Sequence, residues 1–176
     1  MTGPRILTLN VNGVERRVAA PPQAILLDVL RETCHLTGTK RGCDMGTCGC
    51  CTVLIDGENR LSCLTLAAQA EGRRITTIEG LGTTASLHPI QAAYSDIGGS
   101  QCGFCTPGFI MTTKALLDRD PTPDDATIRE AISGNLCRCT GYIKIIEAVK
   151  TAAKQLGPAP AKPLPALAAP KARRKT

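Results

Sequence analysis

Tryptophan is absent from this chain of 176 residues, which holds only two tyrosines and two phenylalanines. An interior built on aromatic rings is therefore excluded. Leu, Ile, Val and Ala must fill the core, which leaves room for something inorganic to help. Histidine is nearly as scarce, and His35 and His88 have no partner at ligand spacing. No apolar run approaches the roughly 20 residues of a membrane-spanning helix, so no membrane span is expected. The opening stretch "MTGPRILTLNVNG" lacks a basic region followed by an apolar one, and the Arg16-Arg17 pair precedes no such run. A secretory signal is not expected, and a cytoplasmic location is. Cysteines in that compartment are kept reduced and serve metals or redox chemistry.

Net charge is also nearly missing from most of the chain. The formal net charge is +6, but Lys162, Lys171, Arg173, Arg174 and Lys175 sit within residues 157–176, which carry no acid. Residues 1–156 sum to +1. The segment "GPAPAKPLPALAAPKARRKT" has no periodic apolar face, and its Pro and Ala content reads as a disordered basic tail. It does not make the chain a nucleic-acid binder, and no nucleic-acid partner is expected.

What is present divides near residue 80. Before it the signals are those of strands. "RILTLNV" alternates Leu7, Leu9 and Val11, and Asn12-Gly13 offers a two-residue turn into "VERRV". "QAILLDVLRET" then places Leu26, Val29, Leu30 and Thr33 at helical spacing. "CTVLI" reads as a strand, Asp56-Gly57 as a turn, "RLSCLTL" as the partner strand, and "RRITTIEG" as the segment that closes the sheet. A hairpin, a helix and further strands, in that order, predict a β-grasp domain over residues 1–80.

Residues 81–156 read as helical, and the pattern occurs twice. "HPIQAAYSDIGG" puts Ile90, Tyr94 and Ile97 on one face and is followed by "QCGFC". Thr106-Pro107 then reads as a hydroxyl cap with proline at the first helical position. In the second copy Thr122-Pro123, with Asp124 and Asp125, starts a helix through Ile128 and Ile132 that ends at Gly134. "LCRC" follows, and then a helix with Ile143, Ile146, Val149 and Ala153 as its stripe. Two such hairpins predict a four-helix bundle whose cysteine loops meet at one end. The fold class expected is α+β.

Ten cysteines remain to be assigned. "CDMGTCGCC" holds Cys43, Cys48 and Cys51 at the C-x4-C-x2-C spacing of a plant-type 2Fe–2S site, and Cys63 lies one hairpin further on as a fourth thiolate. The glycines Gly42, Gly46 and Gly49 suit a loop wrapped around a cluster, with backbone N–H groups close to sulfur. Zinc sites more often show paired C-x2–4-C knuckles. A Rieske-type site would need two histidines on one iron. The second set is Cys102, Cys105, Cys137 and Cys139. "CGFC" alone would suit a thioredoxin-like redox pair, but no βαβ pattern surrounds it. Matching positions in a duplicated hairpin point to one four-thiolate site, with a second cluster or zinc as its occupant.

"GCDMGTCGCCTVLIDG", "SCLTLA", "QCGFCTPGFIM" and "GNLCRCTGY" resemble the iron–sulfur subunit of the molybdenum hydroxylases. Xanthine dehydrogenase, aldehyde oxidoreductase, carbon monoxide dehydrogenase and 4-hydroxybenzoyl-CoA reductase belong to that family. The likeness runs from about residue 5 to 155 and covers all eight ligand positions. It implies an N-terminal plant-type ferredoxin domain, a helical domain with the second 2Fe–2S cluster, and an electron relay. The partners it implies are a large subunit that binds molybdopterin and a medium subunit that binds FAD, in a dimer of heterotrimers. No catalytic residue is expected in this chain. The resemblance puts Gln101 and Cys139 on the pterin side; a plain loop hydrogen bond is the alternative for Gln101. It also marks Cys50 as unusual, since the family commonly has alanine there. A small apolar filler is the reading for Cys50, and a buried structural thiol the one for Cys34. Arg138, between two ligands, would steady a cluster or a cofactor phosphate, or make a surface ion pair. A free-standing two-cluster ferredoxin and a zinc-stabilised binding module are the rival functions. Among substrates, "TGTKRGCDMG" and "GYIKIIEAVKTAA" look most like 4-hydroxybenzoyl-CoA reductase, with aldehydes, purines and N-heterocycles as alternatives.

Overall fold

The computed structural model describes residues 3–157. The basic tail lies outside the described residues from position 158 onward. Strands β1 (Arg5–Val11) and β2 (Val14–Ala20) form the antiparallel hairpin predicted from Asn12-Gly13. Asn12 has φ 55° and Gly13 φ 79°, the two left-handed residues that a twisted two-residue turn needs. Leu7, Leu9, Val11, Val18 and Ala20 face inward. The predicted helix is present but short and widened. It runs as α1 (Leu26–Asp28) into one wider π-type turn over Val29–Thr33. Leu26, Val29 and Leu30 are buried, while Thr33 is exposed.

Strands β3 (Thr52–Ile55), β4 (Glu58–Leu61) and β5 (Arg74–Thr76) complete one mixed sheet of order β2-β1-β5-β3-β4. β5 runs parallel to β1 and antiparallel to β3, in the middle of the sheet. The expected partner strand "RLSCLTL" is corrected here. β4 ends at Leu61, and Ser62–Leu64 form a 3-10 turn. Ser62 causes the change, because its N–H and its hydroxyl both donate to the Cys51 carbonyl, at 3.2 and 2.7 Å. Past these two hydrogen bonds the chain leaves the ladder in the 3-10 turn, with the Cys63 sulfur 3.3 Å from that of Cys51.

Four helices follow: α2 (Pro89–Asp96), α3 (Thr106–Arg119), α4 (Asp125–Ile132) and α5 (Ile143–Leu156). α2 packs on α3 and α5, and α4 closes the ring against the same two helices. Their shared core holds Ile90, Tyr94, Phe109, Leu116, Ile128 and Val149, separate from the core under the sheet. Three local expectations are corrected. Thr106 is the first helical residue rather than a cap, and its hydroxyl donates to Ser100 at 3.0 Å. The cap of α4 is Asp124, which accepts from the Thr127 N–H at 2.8 Å. The α5 stripe is Ile145, Ile146, Ala148, Val149 and Ala152; Ile143 is 68% exposed. The class is α+β, and among the described residues no helix is long and apolar enough to cross a membrane.

The helices also lie against the sheet, with α3 on β3. Gly108, in the first turn of α3, has no room for a side chain, because a Cβ there would overlap the Gly49 carbonyl oxygen and sit 3.1 Å from the Cys50 Cα. Backbone meets backbone at this point, directly beside the cysteine loop.

Candidate functional site

The loop after α1 is held from both sides. The Arg31 guanidinium donates to the Thr37 and Thr39 carbonyls, and the Lys40 N–H donates to the Cys50 carbonyl. Gly49 has φ +70°, and a Cβ on it would meet the Gly134 carbonyl and Asn135. Only glycine fits there. A Cβ on Gly42 would stand 3.0 Å from the sulfurs of Cys48 and Cys50. Bare backbone therefore lines the thiols, as anticipated from the glycine spacing.

Eight thiols come together as two groups of two pairs. Cys51 Sγ lies 3.3 Å from Cys63 Sγ, and Cys139 Sγ 3.7 Å from Cys102 Sγ. Cys43 interacts with Cys48, and Cys105 with Cys137. Two thiolates on one tetrahedral metal with bonds of about 2.3 Å lie about 3.8 Å apart, close to the spacing of the Cys51–Cys63 and Cys102–Cys139 pairs. Two ions with two cysteines each is the donor set of a 2Fe–2S cluster. A single zinc would need three or four donors converging on one point. Among the described residues no three His, Cys, Asp or Glu side chains form such a group. The residues present thus fit two 2Fe–2S clusters.

The electrostatics agree. Burial, and then the neighbouring Cys51 thiol, push Cys63 up to about 12; burial and Cys137 do the same to Cys105. Thiols crowded in this way ionise only when a metal supplies the positive charge. Cys43 is the opposite case, lowered to about 6 by the Met45 N–H, the Cys48 thiol and the N–H groups of Cys48 and Thr47. Burial raises Cys137, but the Thr140 hydroxyl and N–H, donating to its sulfur at 3.1 and 3.5 Å, outweigh it and hold the thiol below its ordinary value. The Thr47 hydroxyl reaches the Cys43 sulfur at 3.7 Å. Donors to sulfur favour the more negative, reduced state of a cluster and so raise its potential.

The two groups differ in exposure. Cys48, Cys51 and Cys63 are buried and Cys43 partly so, whereas Cys102 and Cys139 are exposed. Between the groups the Leu136 N–H donates to the Cys48 carbonyl at 2.9 Å, and Cys137 is the next residue. Gln101 is exposed beside Cys102, and Arg138 is exposed with no ion pair among the described residues. Cys34 is buried under the sheet. His88 caps α2: its ring accepts the Ile90 N–H, while Gln91 accepts the His88 N–H. Cys50 is 5% exposed, and burial, together with Cys48, pushes its thiol up to about 12. The cysteine spacing gave no hint of Asn135 or Tyr142. Asn135 is buried and donates to the Gly49 carbonyl; the Tyr142 hydroxyl accepts the Cys137 N–H. A polar residue two positions before a ligand was the available signal.

Residues 9–77 match the family described as 2Fe-2S iron-sulfur cluster binding domain, and residues 77–150 match that described as 2Fe-2S binding domain. The chain is 52% identical over 143 residues to the 6-hydroxypseudooxynicotine dehydrogenase complex subunit beta of Paenarthrobacter nicotinovorans, spanning 81% of this chain and 89% of that one. It is 47% identical over 149 residues to the nicotinate dehydrogenase small FeS subunit of Eubacterium barkeri, spanning 85% and 95%. The structure of quinoline 2-oxidoreductase from Pseudomonas putida 86 superposes with a TM-score of 0.83 at 44% identity, over 87% of this chain and 96% of that one. With its two thiol quartets and these relatives, the chain belongs to the family of iron–sulfur subunits of the molybdenum hydroxylases.

Proposed function

We propose that this chain carries electrons through two 2Fe–2S clusters, between a large subunit that binds molybdopterin and a medium subunit that binds FAD. Cys43, Cys48, Cys51 and Cys63 hold the first cluster, and Cys102, Cys105, Cys137 and Cys139 the second. When bound, each cluster takes up and gives up one electron without a proton. The chain's own work is to hold eight thiolates in four pairs, exclude water from the first group, and leave one edge of the second uncovered. The observation that carries the reading is the juxtaposition of the two cysteine loops, joined by hydrogen bonds from Leu136 to the Cys48 carbonyl and from Asn135 to the Gly49 carbonyl. A relay needs such a contact, and a carrier with one partner does not.

On this reading the sheet half, residues 1–80, is a β-grasp ferredoxin domain, and residues 81–156 form a four-helix domain that presents the second cluster. The exposed edge with Cys102, Cys139 and Gln101 meets the pterin. The assembly is a heterotrimer, doubled into a dimer. The relatives named above are called dehydrogenases or oxidoreductases of 6-hydroxypseudooxynicotine, nicotinate and quinoline. That weighs toward an N-heterocycle as the substrate of the complex, in place of the 4-hydroxybenzoyl-CoA suggested by the sequence stretches. Substrate would bind on the large subunit.

Electron paramagnetic resonance on the anaerobically purified, dithionite-reduced chain, with iron measured alongside, tests the reading. Two distinct signals and about four irons per chain are expected. Zinc in the metal analysis with no signal would end it.

A further inference from the structure

We infer that Asn135 is a positioning residue that fixes the two cysteine loops against each other, with Tyr142 as its second arm, and thereby sets how strongly the two clusters couple. The inference rests on the reading that both quartets carry clusters. Asn135 is a polar side chain only 4% exposed, in a segment otherwise turned toward solvent. Every polar group it owns is engaged. Its amide nitrogen donates to the Gly49 carbonyl at 3.0 Å, inside the first cysteine loop. Its amide oxygen accepts from the Thr112 hydroxyl of α3 at 2.9 Å. Its N–H donates to the Ile132 carbonyl at 2.9 Å, and its carbonyl accepts from the Tyr142 hydroxyl at 3.2 Å.

The orientation of the amide is fixed by chemistry. The Gly49 carbonyl can only accept, so the nitrogen must face it, and the Thr112 hydroxyl is free to donate to the oxygen. Tyr142 extends the chain of bonds, since the same hydroxyl accepts the Cys137 N–H at 3.0 Å. Polar atoms thus run without a break from Gly49, between the ligands Cys48 and Cys51, to the ligand Cys137. Tyr142 adopts φ 70°, a left-handed conformation that a bulky residue rarely takes, and its ring packs edge-on against Phe109 with centroids 6.0 Å apart. The strained backbone is held by the bonds that the hydroxyl makes. Alongside this clamp lies the Leu136–Cys48 hydrogen bond, whose length depends on the two loops staying in register. Electron exchange falls steeply with separation, so a clamp on this contact controls it.

The test uses the full chain with both clusters loaded and compares Asn135→Ala, Tyr142→Phe and Thr112→Val with the parent. The readout is the splitting that each reduced cluster imposes on the other's paramagnetic resonance, read beside the iron content. Asn135→Ala is expected to retain about four irons and the separate signal of each cluster while the splitting falls at least twofold. Tyr142→Phe, which keeps the ring and loses the hydroxyl, is expected to lower it by a smaller factor. A role in folding alone would not move the splitting of fully loaded protein. Unchanged splitting in loaded Asn135→Ala and Tyr142→Phe would overturn the inference. If Asn135→Ala does not retain its clusters, Tyr142→Phe and Thr112→Val decide: a reduced splitting in either supports the clamp, and none in both overturns it. A parent chain without two iron–sulfur signals would instead overturn the cluster reading, and this inference with it.

Discussion

Four cysteines in nine positions have two different fates. Cys43, Cys48 and Cys51 belong to one group of thiols with Cys63, whereas Cys50 is buried beside Cys48 with its thiol 3.9 Å from the Cys48 carbonyl. Cys51→Ala is expected to lose the first cluster, about half the iron, while Cys50→Ala keeps the full count and costs about 1 kcal/mol for the buried volume removed. Iron analysis and thermal unfolding of the two variants separate the roles. Cys34 is a third case. Burial raises its thiol against the pull of Arg16, so above about pH 8.5 the unfolded chain releases a proton that the folded chain keeps. Stability from this residue is complete below that pH and falls as pH rises above it. Cys34→Ala is expected to flatten the decline of Tm between about pH 8 and 10, and an unchanged slope would contradict the assignment. The cysteine spacings were legible in the sequence because metal coordination restricts them, and the fold brings Cys51 to Cys63 and Cys102 to Cys139. Asn135 was not, since only its place in the fold gives it partners.

At the level of elements, turns and stripes were read more reliably than ends. Asn12-Gly13 and Asp56-Gly57 form their hairpins because left-handed backbone is a local property of the dipeptide. The end of β4 depends on Ser62 reaching Cys51, eleven residues away, and the sequence carries no mark of that contact. Ile143 fits the α5 period yet faces outward, because the helix begins on a left-handed Tyr142 that sets its rotation. Gly108 of α3 meets the backbone of the cysteine loop with no room for a side chain. Gly108→Ala puts a methyl against backbone that cannot move without disturbing Cys50 and Cys51. It is expected to cost about 3 kcal/mol and to lower cluster content, measured by denaturant unfolding and visible absorption. Parent-like values for both would show that the two halves can shift apart freely.

Over the whole molecule, protection is uneven. The first group of thiols is largely enclosed, while the second keeps Cys102 and Cys139 at the surface, with Phe104 and Leu136 exposed nearby in sequence. In the chain alone, exposure to air is therefore expected to bleach the second cluster's resonance several-fold sooner than the first, and within the complex the two should decay together. Equal loss in the isolated chain would mean that exposure does not govern their lifetime. The change in periodicity near residue 80 matches the change from strands to helices, and separate apolar cores lie under the sheet and among the helices. How the halves meet was not visible, because backbone-to-backbone contact leaves little trace in residue type. The sheet order adds a constraint in time. β5 lies between β1 and β3 although it is the last strand of its half to be made. On the ribosome, then, the platform beneath the first cysteine loop stays open until residues 74–76 have emerged, and iron delivered before that moment meets loose thiols rather than a formed cradle.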